Sequence, residues 1–324
     1  MPDTNNAPQE LVRGVYAANY TYGKSGTGCT VIVCPKGARG AVDVRGGAPA
    51  TRETDLLRPE ETVDVLHAVV LSGGSAYGLA ASCGVAQELE RQGVGLDVGV
   101  GIVPIVSSAC LFDLACGDAS VRPTAEAGAK ATRLALEKRT LQLETGNVGA
   151  GCGCTVGKFA GPERAMKSGL GQGSASAGSL ACVGIAAVNA CGNVIDPATG
   201  RAIAGALDGD RRAILDPTEA IRQLAEREPW LRTNTTISCV VTNAALTKAQ
   251  ATKVAQMSAD AYAHTICPTH TTNDGDTIFV MATGEVEAPV DVVGMLSTQA
   301  LERAIVSAAT DAAGAYGFPA ARDI

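Results

Sequence analysis

Arg232-Thr233-Asn234-Thr235-Thr236-Ile237-Ser238 is the stretch on which the reading of this chain turns. A polar segment, 232–234, runs straight into the β-branched run 236–242, which reads as a buried strand. A threonine hydroxyl is a weak nucleophile unless a base stands beside it. Cleavage of the bond before Thr235 would supply one, because the new α-amino group lies next to the hydroxyl of the same residue. Such an amine has a reference pKa of about 7.7–8.0, close to what a general base needs near neutrality. On residue types alone, the same stretch also makes an ordinary strand start, and both readings stand at this point.

Working outward, strands and helices alternate without a linker, a repeat or a low-complexity tract. Residues 30–34 and 41–44 read as two strands separated by a Pro/Gly turn, and 67–71 as a short apolar strand ending at Ser72-Gly73-Gly74. Helical spacing predicts a helix over 76–91 and another over 124–139, the second carrying Glu126 and Lys130 at i,i+4. Thr247 is a suitable N-cap for a helix running to about 264, 277–281 is a further strand, and an Ala-rich helix covers 297–315. The mix predicts a layered α/β or α+β domain.

The composition bounds the partners. The 324 residues are 46% hydrophobic but only 3% aromatic, so the core must be packed with Ala, Val, Ile and Leu. A formal charge of −7 without a Lys/Arg cluster argues against a nucleic-acid partner. The most apolar window, 98–112, is broken by Gly, Pro and Ser and falls short of the ~20 residues that cross a bilayer, so no membrane partner is expected. Met1-Pro2-Asp3-Thr4-Asn5-Asn6 has no basic and apolar leader pattern. With eleven cysteines and no CxxC pair, small buried thiols in a reducing cytoplasm are the expectation.

Several motifs nearly form and then fail. Gly153-Cys154-Thr155-Val156-Gly157-Lys158 lacks one residue between the glycines of a phosphate loop, and Phe159 stands where Ser or Thr would hold magnesium. Gly73-Gly74-Ser75-Ala76-Tyr77-Gly78 is neither a dinucleotide fingerprint nor a nucleophile elbow. Of the three histidines, His67 begins an apolar strand, His264 sits near a helix C-terminus, and His270 alone lies near acids. The run from Thr272 lacks the ligand frame of a calcium loop, and Asp208-Gly209-Asp210 reads as a solvated loop.

The ordered set of blocks resembles the L-aminopeptidase/D-esterase (DmpA-like) family of self-processing hydrolases. That family also holds β-peptidyl aminopeptidases and the 6-aminohexanoate (nylon) oligomer hydrolases. The resemblance runs from about Gly28 to Gly284. It is carried by Thr27 to Val31, Val42 to Gly47, Ser72 to Leu79, Gly157-Lys158, Val188-Asn189, Asn234 to Ser238 and His270 to Phe279. It implies a four-layer αββα sandwich of the α+β class, forming one catalytic domain over 1–324. Cleavage between Asn234 and Thr235 would give an α subunit, 1–234, and a β subunit, 235–324.

By the same resemblance Thr235 is both the self-processing residue and the mature nucleophile. Asp274 and Asp276 match the acidic pair that orients its amine and hydroxyl. Lys158 matches a lysine beside the nucleophile, and Asn189 an asparagine near the reacting carbonyl. The residue types fit: an ammonium and an amide N–H stabilise developing negative charge, and carboxylates balance a protonated amine. No metal or cofactor is implied. The implied partners are a short peptide substrate, the α and β subunits of one precursor, and further αβ units in a homo-oligomer. Thr235 with Asp274-Gly275-Asp276 looks closer to the nylon-oligomer branch, whose substrate is an ω-amino-acid oligomer. Phe112, however, stands where that branch carries Tyr. Amine acyl transfer, as in the related-fold ornithine acetyltransferases, is a further alternative.

Overall fold

Long uninterrupted runs of β-branched and small apolar residues make strands that are buried on both faces. The computed structural model describes residues 11–218 and 234–324. The polar lead-in Arg232-Thr233 and the first six residues lie outside the described residues. The strands that build the two main sheets are β1 (Tyr16–Tyr22), β2 (Thr27–Val44), β3 (Thr51–Arg52), β4 (Leu66–Ser72), β5 (Val106–Cys110), β6 (Leu170–Ala177), β7 (Leu180–Asn189), β8 (Thr235–Ala244) and β9 (Thr277–Val286).

The first sheet has the order β1-β2-β4-β5-β3 and the second β6-β7-β8-β9-β2. Strand β2 belongs to both: Thr27 to Val33 pairs with β1 and β4, whereas Arg39 to Val44 pairs with β9. The expected Pro/Gly turn between two strands is therefore a crossing from one sheet to the other. Pro35 cannot donate to a ladder and Gly37 takes φ 77°, so pairing lapses there while the chain continues onward.

Alternation along the strands assigns each face. Ile237, Cys239 and Val241 of β8, Val183 and Ile185 of β7, and Phe279 and Met281 of β9 meet Ile32, Val69 and Leu71 of the first sheet in one core. The opposite face of the second sheet, with Val188, Val240, Ile278 and Val280, packs on helices. The opposite face of the first, with Val31, Val33, Ala68 and Val70, packs on a helix pair. These are α1 (Ala80–Arg91) and α2 (Ala125–Lys138) on the first sheet, and α3 (Lys248–Ser258), α4 (Asp260–Thr265) and α5 (Val290–Thr310) on the second. The result is the expected αββα sandwich. Ala81, Ala127, Ala131, Ala300, Ala304 and Ala308 supply much of the helix–sheet contact, which lets the layers close up without aromatic bulk.

Local signals read as expected, with shifts at the ends. Thr124 accepts the Ala127 N–H as N-cap of α2, and Glu126–Lys130 close at 2.7 Å. Thr247 and Gln250 form a capping box on α3, but the helix expected to reach 264 is split at Ala259 into α3 and α4. The segment from 76 starts as a 3-10 turn, Ser75–Leu79, before α1 begins, and α5 starts seven residues earlier than its Ala-rich part. His67 is buried, with its Nδ1 accepting the Ile105 N–H. All eleven cysteines are free thiols, eight of them buried.

Candidate active site

Strand direction gathers the site. Strands β8 and β9 run parallel, so their N-terminal ends lie side by side, and Asn234 bridges to Asp274 just before them. Strand β7 runs antiparallel to β8, which sets its last residue, Asn189, opposite Thr235. Strand β2 runs antiparallel to β9, so its continuation, Arg45 to Ala48, closes over the Asp274-Gly275-Asp276 turn. Lys158 follows Gly157 in a single 3-10 turn beside the end of β7. Residues as far apart in the chain as Arg45 and Asp276 thus meet at one end of the second sheet.

With the Asn234–Thr235 peptide bond intact, the Thr235 hydroxyl lies against the carbonyl oxygen of Asn234. Thr235 is only 4% exposed and Asn234 7%. The Asn234 carbonyl oxygen also accepts the Gly275 N–H at 3.1 Å. An N–H donated to a carbonyl oxygen stabilises the negative charge that builds there when the carbonyl carbon is attacked. Glycine is required at 275: a Cβ there would sit 2.7 Å from Thr235 Oγ1. At Gly46 a Cβ would fall 2.2 Å from the Asp274 carbonyl oxygen, so this close approach of β2's continuation also excludes a side chain.

The two aspartates differ. Asp276 Oδ1 accepts the Thr236 N–H at 2.7 Å, and its Oδ2 contacts His270 Nδ1 at 2.8 Å, the His270 N–H at 3.1 Å and the Thr269 hydroxyl at 3.3 Å. Asp274 Oδ2 accepts the Thr271 N–H at 2.7 Å, but its Oδ1 is buried without a hydrogen-bond partner among the described residues. Burial first, and the Asp276 carboxylate second, push the Asp274 carboxyl up to about 6. Asp276 therefore grips the backbone at the start of β8, while Asp274 presents an acceptor that no described residue uses.

Lys158 Nζ donates to Asn189 Oδ1 at 2.8 Å, to the Asn189 carbonyl at 2.9 Å and to the Thr155 carbonyl at 2.9 Å. Burial pulls this ammonium down to about 8, opposed by the neighbouring acidic groups Cys154, Cys191 and Asp274, in that order. Asn189 Nδ2 donates to the Phe112 carbonyl at 2.7 Å, so Phe112 meets the site through its backbone carbonyl. Thr235, Lys158, Asn189, Asp274 and Asp276 are all brought to this one end of the sheet. Sequence reasoning missed the Gly275 N–H, whose only trace is a glycine held between two aspartates. His264 and the Asp208 loop lie elsewhere: His264 pairs with Glu302 at 2.6 Å, and Asp208 accepts the Arg212 N–H. Among the described residues, no group of three or more His, Cys, Asp or Glu side chains is placed to hold a metal ion.

The profile of peptidase family S58 matches residues 12–320. The chain belongs to peptidase family S58. It is accordingly a hydrolase of peptide and amide bonds. An "uncharacterized aminopeptidase" of Mycobacterium tuberculosis is 40% identical over 318 residues, covering 92% of this chain and 89% of the relative. A 6-aminohexanoate-oligomer endohydrolase of Paenarthrobacter ureafaciens is 32% identical over 279 residues, covering 84% of this chain and 73% of the relative. Among solved structures, the β-aminopeptidase of a Burkholderia species superposes with a TM-score of 0.67 at 18% identity, over 98% of this chain and 90% of that one. The L-aminopeptidase D-Ala-esterase/amidase of Ochrobactrum anthropi, described as a variant of the Ntn-hydrolase fold, gives 0.66 at 16% identity, over 93% and 85%. Fold and family agree with the sandwich and with the resemblance drawn from the sequence blocks. Among the described residues, no helix is long and apolar enough to cross a membrane.

Proposed function

We propose that the S58 chain matures by cutting itself before Thr235 and then acts as an N-terminal-threonine aminopeptidase on short peptides. The observation that carries this reading is the Thr235 hydroxyl lying against the Asn234 carbonyl oxygen, which the Gly275 N–H already polarises. In maturation, Thr235 Oγ attacks the Asn234 carbonyl carbon and loses its proton. The C–N bond breaks, nitrogen gains a proton to become the Thr235 amine, and an ester is left. Water cleaves that ester, giving the Asn234 carboxylate and the free hydroxyl. In turnover the same hydroxyl attacks the substrate amide, releases its amine and yields an acyl-enzyme that water resolves. Asp274 Oδ1 accepts from the new ammonium. Lys158, held by Asn189, lowers the energy of the oxyanion.

Aminopeptidase action on this chain is inferred from the mycobacterial relative named for it. The endohydrolase relative supports a second reading, cleavage of ω-amino-acid oligomers. Parallel assays on amino-acid p-nitroanilides and on 6-aminohexanoate oligomers separate the two. Eleven free thiols fit a reducing cytoplasm, and assembly of αβ units would cover the exposed apolar residues Val98, Val100 and Val103. Light scattering tests that assembly.

The deciding experiment is mass spectrometry of the purified protein. Pieces of roughly 24 and 9 kDa are expected from dividing 32.7 kDa in proportion to length. Thr235→Ala should remain one uncut chain without amidase activity. A Thr235→Ala protein that is cut and active overturns the reading.

A further inference from the structure

His270 plays no part in the mechanism above, yet two routes connect its ring to the strand that bears Thr235. The first runs through Asp276. His270 Nδ1 lies 2.8 Å from Asp276 Oδ2, and Asp276 Oδ1 accepts the N–H of Thr236, the residue after the nucleophile, at 2.7 Å. A ring nitrogen this close to a carboxylate oxygen must carry the proton, so Nδ1–H donates. The second runs through Tyr262, on which the His270 ring stacks with centroids 5.4 Å apart and planes 23° from parallel. The Tyr262 hydroxyl donates to Ser238 Oγ at 2.8 Å.

The backbone adds a further observation. His270 holds φ 54°, in the left-handed region where histidine, like asparagine and aspartate, is enriched among non-glycine residues. The His270 side chain is 20% exposed, whereas Asp276 is 2%. The ring thus forms the outer wall of a buried carboxylate whose other oxygen fixes the start of β8.

We propose that His270 is a positioning residue for the nucleophile: its Nδ1–H locks the Asp276 carboxylate, which holds the Thr236 amide and so aims the Thr235 hydroxyl. This rests on the reading of Thr235 as the nucleophile. Without the ring, Asp276 Oδ2 keeps the His270 N–H and the Thr269 hydroxyl but loses the donor that fixes its plane. Displacing a nucleophile by about 1 Å can cost roughly 100-fold in rate.

Two variants of the full chain test this. His270→Gly removes the ring and accepts φ 54° without strain. His270→Asn tolerates the same backbone and places an amide N–H where Nδ1–H was, without the ring. Precursor conversion is followed by intact mass spectrometry, and kcat and KM of the matured protein by p-nitroanilide release. His270→Gly should convert and turn over about 10–100-fold more slowly with KM changed less than about twofold, while His270→Asn returns both rates to within about threefold of the parent. Parent-like rates in His270→Gly overturn the proposal. So does a His270→Asn protein slowed by about tenfold or more, which would assign the effect to stacking on Tyr262. Should His270→Gly lose its far-UV circular dichroism, the His270→Asn rates alone decide. Thr235→Ala is run beside them. If it is still cut, the nucleophile reading falls and the role of His270 with it. If it stays whole while His270→Gly matures normally, only the His270 proposal falls.

Discussion

Lys158 and Lys167 are both buried ammonium groups held by carbonyl oxygens, and burial lowers the pKa of each. Lys167, fully buried, donates to the backbone carbonyls of Cys154 at 2.9 Å and Ser168 at 2.6 Å. Lys158 has two backbone carbonyls as well, but its shortest bond is to a side chain, Asn189 Oδ1, at the register position opposite Thr235. Asp274, with an unpartnered oxygen, contributes to the potential at Lys158. At Lys167 the neighbouring ionisable groups are the thiols of Cys154, Cys116 and Cys152 followed by the Asp113 carboxyl, and at Lys158 the thiols of Cys154 and Cys191 likewise precede Asp274. Desolvation alone therefore does not mark a reactive lysine. What distinguishes Lys158 is its place at the strand ends that hold Thr235 and the open Asp274 oxygen.

The largest expected effect comes from exchanging these lysines for methionine, which keeps the length and removes the charge. Lys158→Met should slow precursor conversion and amide hydrolysis by about 100–1000-fold, the usual cost of losing a preorganised charge on a developing oxyanion. Lys167→Met should leave the rate per folded molecule within about twofold. Its effect should fall on stability, about 1–3 kcal/mol for the buried carbonyls it leaves unpartnered. Conversion kinetics and urea melts on both variants give the measurement. A Lys167→Met protein that folds well and does not mature would erase the distinction.

Next in size is the pH dependence of conversion. Asp274, raised to about 6, is a carboxylate above that pH, and Lys158, lowered to about 8, is an ammonium below it. If both charged forms are used, the rate rises as pH passes 6, is greatest between 6 and 8, and falls as pH passes 8. A limb lost tenfold per pH unit on each side is the full effect. Asp274→Asn should flatten the acid limb and leave the alkaline one. A rate that keeps rising beyond pH 8 would instead make neutral Lys158 the active form, as a base.

The two lysines also show how much of the molecule the sequence disclosed. The layered class follows from strand and helix periodicity, and Thr235 can be picked out by the chemistry of an N-terminal threonine. Lys158 and Asn189 carry no such local signal. One follows a failed phosphate loop and the other ends an apolar strand, and only the resemblance of ordered blocks marked them. Their meeting depends on β7 running antiparallel to β8, a long-range pairing that local periodicity does not encode. The crossing of β2 between sheets was hidden for a related reason, since Pro35 and Gly37 serve a turn and a broken ladder equally well. Asp274 and Asp276 are indistinguishable as letters. Their difference lies in which oxygens find donors, and the donors are backbone groups and His270.

The smallest expected effect concerns the cost of keeping Asp274 Oδ1 without a partner. A carboxyl whose pKa is higher in the folded chain binds more protons there than when unfolded, so stability falls as pH rises from about 4 to about 6. Above that the penalty is complete. The rise from 3.8 to about 6 sets its upper size at about 3 kcal/mol. Asn at this position removes the charge while its Oδ1 still accepts the Thr271 N–H. Measured in the uncut Thr235→Ala background, Asp274→Asn should match its parent below pH 4, diverge between 4 and 6, and melt higher at pH 7. The corresponding Asp276→Asn variant should show no such gain, because both Asp276 oxygens are bonded and its amide would turn a donor toward an N–H. Equal responses of the two aspartates would mean that the open oxygen of Asp274 carries no energetic cost. The site would then have lost its preformed place for the Thr235 amine.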